Sequence, residues 1–181
     1  LDSFPLLAIP LYIFAGNLMN YGGITSAIVS FSRSLVGHIR GGLGQVNIMT
    51  SVLFSGISGS ASADVAAVGG MMIPAMKKEG YRPEWAVVIT AASAILGPII
   101  PPSLLIVIYG AMTGLSIGTL FLAGIVPGLF LAFIMMIVVY WKANEIGAPR
   151  HTRASLSTTL RVFLKAAPAL VMPVIIVGGI Q

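Results

Sequence analysis

Two stretches carry the residues best suited to chemistry, Ser55-Gly-Ile-Ser-Gly-Ser-Ala-Ser-Ala-Asp64 and Gly97-Pro-Ile-Ile-Pro-Pro-Ser103. Serine hydroxyls and backbone carbonyls are hard oxygen donors of the kind that hold a small cation. Proline has no amide hydrogen, so Pro101 leaves the carbonyl of Gly97 without its helical donor, and Pro102 does the same to Pro98. Two half-helix ends facing each other would favour an anion at N-termini and a cation at exposed carbonyls. The plainer reading is that Gly and Ser allow close helix packing and the prolines only kink a span. Asp64 is the one formal charge between Arg40 and Lys77. A carboxylate within a membrane is a functional candidate, but it serves equally well to cap or orient the helix it starts. Gly56-Ile-Ser-Gly59 also matches the G-x-S-G of rhomboid-like intramembrane serine proteases. That alternative makes Ser58 a nucleophile needing a base, and the chain offers only His38 and His151, both in polar or basic segments.

The elements that must position these residues belong in a membrane. Of 181 residues, 57% are hydrophobic and 8% charged, and the mean hydropathy is +1.00. A soluble domain needs more polar surface. The net charge of +5 sits in loops between apolar runs, where cytoplasmic flanks carry it, so topology explains it without nucleic acid. No cysteine is present, and no phosphate-cradling loop precedes a lysine, so nothing supports ATP-driven transport. Leu1 opens the sequence and an apolar run closes it, from which we expect the protein to continue beyond both ends; no removable signal peptide is expected.

The apolar pattern predicts an all-α polytopic membrane protein. Residues 1–20 read as part of a transmembrane helix, and 21–42 as an interfacial amphipathic helix and loop with Ile24, Ile28, Phe31 and Leu35 on one face. Residues 43–76 have basic flanks at both ends, Arg40 on one side and Lys77, Lys78 and Arg82 on the other. The stretch is tight for two full crossings of about 20 residues each, so a re-entrant hairpin turning at Ser58-Gly59-Ser60 is expected. Residues 77–83 form a cytoplasmic loop, 84–114 a broken transmembrane helix and 115–141 a clean one ending at Tyr140 and Trp141. Residues 142–165 form a basic cytoplasmic segment, and 166–181 start a further span. Asn17, Gln45 and Asn47 either line a polar interior or bond between helices.

These residues resemble the large membrane subunit of tripartite ATP-independent periplasmic (TRAP) transporters. The likeness runs in order through Phe14-Ala-Gly-Asn-Leu-Met19, Gly37-His-Ile-Arg-Gly-Gly-Leu-Gly-Gln-Val-Asn47 and the serine cluster ending at Asp64. It continues through Ile73-Pro-Ala-Met-Lys-Lys-Glu-Gly-Tyr81, Gly97 to Ser103 and Gly124-Ile-Val-Pro-Gly128. The resemblance implies an elevator-type secondary transporter, not an enzyme, in a bacterial or archaeal inner membrane. It would take up an organic anion such as a sugar acid or C4-dicarboxylate, delivered by a periplasmic substrate-binding protein and coupled to sodium. A small membrane subunit would complete it, and no cofactor is implied. It also implies two inverted repeats, of which this sequence carries the first hairpin and broken helix. Carried over motif to motif, the sodium ligands are Ser55, Ser58, Gly97, Ile100 and Pro102, and the substrate carboxylate lies near Ser60 and Pro101. Ser62 departs from the pattern, standing where an apolar residue is more usual. A carrier of the same type working without a binding protein is the nearer alternative.

Overall fold

The computed structural model describes residues 14, 22–149 and 152–179. The expected span over 1–20, Asn17 within it, therefore lies outside the described residues apart from residue 14, as does His151. Every regular element among the described residues is helical. In chain order they are α1 (Ile24–Val36), α2 (Gly42–Ser58) and α3 (Ala61–Asp64), a π-helical turn (Val65–Gly69), then α4 (Gly70–Lys78). There follow α5 (Pro83–Ala94), α6 (Leu104–Thr113), α7 (Ile117–Ile146) and α8 (Leu156–Gly179).

α2 is the hub. Apart from Gln45 and Asn47 its sequence is apolar or small, and Leu43, Val46, Ile48, Phe54 and Ile57 are all buried, as expected of a helix surrounded by others. It packs on α1, α5, α7 and α8. α1 lies between α2 and α8 and buries Thr25, Ile28 and Ser32. Of the apolar face read from the sequence, Ile28 is buried and Ile24, Phe31 and Leu35 are half-buried.

The chain reverses after α2 because Gly59 adopts φ 55°, a left-handed conformation that other residues reach only with strain. Residues 61–78 then run back beside α2: Ser51 Oγ donates to Asp64 Oδ2 at 2.8 Å. The return ends where the hairpin began. Tyr81 donates its hydroxyl to the Gly41 carbonyl at 2.8 Å and accepts from the Gly44 amide at 3.3 Å. Burial pushes this phenol up to about 12, so it remains protonated, and able to donate, well above neutral pH. Arg33 pairs with Glu79 at 2.8 Å and ties α1 to the same corner.

α5 starts with Pro83 in its first turn, where no amide hydrogen is required, and with Glu84 at the favourable end of the helix dipole. It ends at Ala94, three residues before the first residue of the expected break. α6 begins at Leu104, capped by Ser103, whose Oγ accepts from the Ile106 amide at 3.3 Å. α7 runs through 30 residues with mean hydropathy 2.7 over its most apolar window, and at about 1.5 Å per residue it exceeds the thickness of a bilayer core. Among the described residues it is the one helix long and apolar enough to cross a membrane by that measure. α7 continues to Ile146, five residues past the predicted end at 141. α8 begins at Leu156 with Ser155 Oγ accepting from the Thr158 amide at 3.3 Å. The segment 142–165 is therefore helical at both ends, with Arg161 and Lys165 on the exposed side of α8.

Candidate site where the hairpin tip meets the break in the apolar run

The tip of the hairpin and the break between α5 and α6 touch at both ends of the break. At its start, a Cβ added to Gly97 would lie 3.0 Å from the Ser60 carbonyl carbon and 3.2 Å from the Ala61 nitrogen. Only a residue without a side chain allows that approach. At its end, the Leu104 amide, free because it opens α6, donates to the Gly59 carbonyl at 3.2 Å. Residues 97–104 thus bow around Ser58-Gly59-Ser60, and Ile100, Pro101, Pro102 and Ser103 are buried there. The Pro101-Pro102 peptide bond is cis.

The two freed carbonyls have different fates. Pro98 O, without its helical donor, accepts from Ser103 Oγ at 2.7 Å. The capping hydroxyl replaces the amide hydrogen that Pro102 lacks. Gly97 O receives no donor among the described residues. Ser58 Oγ is similarly under-used: its contacts with the Ser60 carbonyl and amide are both 3.5 Å, at the limit of a hydrogen bond, and the residue is buried. Ser55 is fully buried and donates to its own helix, at Val52 O, 2.6 Å away, leaving its oxygen lone pairs available. Ile100 contributes a buried side chain, and its amide is bonded to Leu96 O at 2.8 Å. Ser60 is half-buried, with its Oγ 3.0 Å from Ser62 Oγ, so Ser62 gives the tip a paired hydroxyl. What the arrangement offers is neutral hard oxygens in a nearly enclosed place. Such donors suit a cation of low charge and have no covalent chemistry of their own.

A second polar layer lies beside the tip and anchors it. Asn47 Nδ2 donates to Thr90 Oγ1 at 2.6 Å, and Ser51 Oγ lies 3.1 Å from Ser93 Oγ as well as on Asp64. Thr90 and Ser93 each also donate to backbone carbonyls of α5. Asp64 thereby orients α3 through a side chain of α2, not through a backbone cap. Gln45 Nε2 joins Arg40 O and Met136 O at 3.0 and 2.9 Å, so Gln45 and Asn47 both make interhelical bonds.

Two residues that the sequence marked only through the family resemblance, with no role given to them, shape the site from outside. A Cβ on Gly124 of α7 would lie 2.6 Å from Ile99 O, and one on Gly128 would lie 2.5 Å from Ile100 Cγ1. These two glycines form the bay that receives the break. Their spacing of four residues is the readable signal, since it places both on one helix face.

The family model for the DctM component of tripartite ATP-independent periplasmic transporters matches residues 1–181. The chain belongs to the DctM family. Its curated relatives include the sialic acid TRAP transporter permease protein SiaT of Haemophilus influenzae, 47% identical over 99% of this chain and 29% of the relative. The sialic acid TRAP transporter large permease protein SiaM of Vibrio cholerae is 46% identical over 99% of this chain and 42% of its own length. The C4-dicarboxylate TRAP transporter large permease protein DctM of Pseudomonas aeruginosa is 41% identical over the same shares. This DctM-family chain thus spans less than half the length of these relatives.

Proposed function

We propose that the chain is the first-repeat part of a multi-pass inner-membrane permease that takes up an organic anion, such as a sugar acid or C4-dicarboxylate, together with sodium. In this reading a periplasmic binding protein delivers the anion and a small membrane subunit completes the transporter. The observation that carries it is the joint between hairpin tip and break: the Gly59 carbonyl bonded to Leu104, Gly97 packed on Ser60, and the Gly97 carbonyl left without a donor.

Residues 43–76 act as a re-entrant hairpin and 84–114 as a proline-broken membrane helix. The return of Tyr81 to Gly41 supports the first, because the hairpin leaves where it enters. Sodium sits among Ser55, Ser58 and the carbonyls of Gly97, Ile100 and Pro102, and the substrate carboxylate near Ser60 and Pro101. Because tip and break share the ion, sodium binding fixes their relative position and with it the half of the substrate site that they form. The two then move together, as a unit, across the membrane in an elevator step. Gly124 and Gly128 give α7 a smooth face against that unit. The protease alternative is not favoured: among the described residues Ser58 Oγ bonds to the Ser60 backbone and to no histidine, and the family is one of transporters.

The test is uptake of radiolabelled organic anions into proteoliposomes holding the full-length protein and its small subunit. Uptake that needs both an inward sodium gradient and the binding protein is the expected result. Uptake indifferent to sodium overturns the ion site, and uptake without the binding protein points to the independent carrier.

A further inference from the structure

Two adjoining cavities, of about 350 and 490 Å³, lie between the second half of α1 and the chain that enters α8. Ser34 and Ala154 line both, while Arg33 lines one and Arg153 the other. No carboxylate is among the lining residues. Arg33 spends one arm of its guanidinium on Glu79 and is otherwise half-exposed, whereas Arg153 and Thr152 have no partner among the described residues. Ser30 and Ser34 donate to backbone carbonyls of α1, Thr159 donates to Ser155 O, and Thr158 shares a hydrogen bond with Ser155 Oγ, so the side-chain donors least engaged are the two guanidinium groups and the Thr152 hydroxyl. Those are the groups that bind a phosphate.

A free phosphate would need nothing more, but the cavities open onto something else. Leu156, which lines the second cavity, begins a stripe with Leu160 and Leu164 that is 90%, 61% and 64% exposed. The spacing of four residues keeps all three on one side of α8, leading away from the guanidinium groups along the helix. A cationic cavity continuous with an exposed apolar stripe matches an amphiphile with an anionic head. We propose that the Arg33 and Arg153 cavities hold the phosphate headgroup of an anionic phospholipid whose acyl chain lies along Leu156, Leu160 and Leu164. The lipid joins α1 to α8, so it braces the helix on which α2 rests. This site rests on the chain being a membrane protein with its basic segments at one interface, and not on what it transports.

The experiment uses the full-length protein with its small subunit in detergent. Its thermal midpoint is followed while dioctanoyl phosphatidylglycerol, dioctanoyl phosphatidylcholine or inorganic phosphate is added. Phosphatidylglycerol should raise the midpoint saturably, and the other two should do little. Loss of one arginine near an anionic headgroup corresponds to about fivefold weaker binding, which is the shift expected for Arg153→Gln; Leu160→Gln should weaken the lipid as well. Arg82→Gln, an exposed arginine that lines neither cavity, should bind normally. Equal stabilisation by phosphatidylcholine, equal stabilisation by phosphate, an unchanged Arg153→Gln, or an Arg82→Gln as weak as Arg153→Gln each overturns the proposal. Because the readout is binding, absence of sodium-coupled uptake leaves it standing.

Discussion

α7 and the segment from α5 to α6 are both apolar and both contain proline, yet only one of them breaks. α7 keeps Pro127 inside an unbroken helix of 30 residues. Its ring faces outward, and the single carbonyl it deprives of a donor is that of Ala123. Between Ala94 and Leu104 three prolines fall within five residues, and the losses exceed what one turn absorbs. The break also has somewhere to go: the hairpin tip supplies Gly59 O for the freed Leu104 amide, and Ser103 rescues Pro98 O. A proline is therefore a helix breaker in a membrane when neighbouring groups take up the backbone bonds it cancels.

Six substitutions test that contrast. Gly97→Val should have the largest effect, because its side chain meets the backbone of Ser60 and Ala61. Overpacking of about 1–3 kcal/mol at the joint corresponds to a loss of uptake of at least about fivefold, measured in proteoliposomes at matched protein content. Gly124→Ala comes next, since its methyl group meets the rigid Ile99 carbonyl; a lowered thermal midpoint is expected, and a smaller drop for Gly128→Ala, whose obstacle is the movable Ile100 side chain. Ser51→Ala removes the one side-chain donor to the Asp64 carboxylate among the described residues and should destabilise by about 1 kcal/mol, the usual worth of a hydrogen bond inside a membrane protein, read from unfolding in mild detergent. Pro127→Ala should do least, within about 0.5 kcal/mol and with uptake unchanged, whereas Pro101→Ala should cost uptake.

Much of the site was legible in the sequence because its signals are local. Ser58-Gly59-Ser60 reads as a turn from residue types alone, and Pro101 marks the freed Gly97 carbonyl by simple spacing. Gln45 and Asn47 were legible as polar groups in an apolar run, with interhelical bonding among their readings. What escaped depends on the packing of distant segments. Gly124 and Gly128 look like ordinary small residues until Ile99 and Ile100 are seen against them. Ser103 cannot be assigned to Pro98 O without knowing how tightly the break folds. The start of α8 was hidden because Arg161 and Lys165 resemble loop residues, although long basic side chains sit readily on the exposed face of a helix near an interface.

A cation shared by tip and break is tested most directly by the sodium concentration giving half-maximal uptake in Ser58→Ala beside the unaltered transporter. A large rise in that concentration, or loss of sodium dependence, is expected in a protein that still folds and assembles with its small subunit. An unchanged sodium dependence at normal expression would contradict it and return the serines and glycines of the tip to a purely packing role.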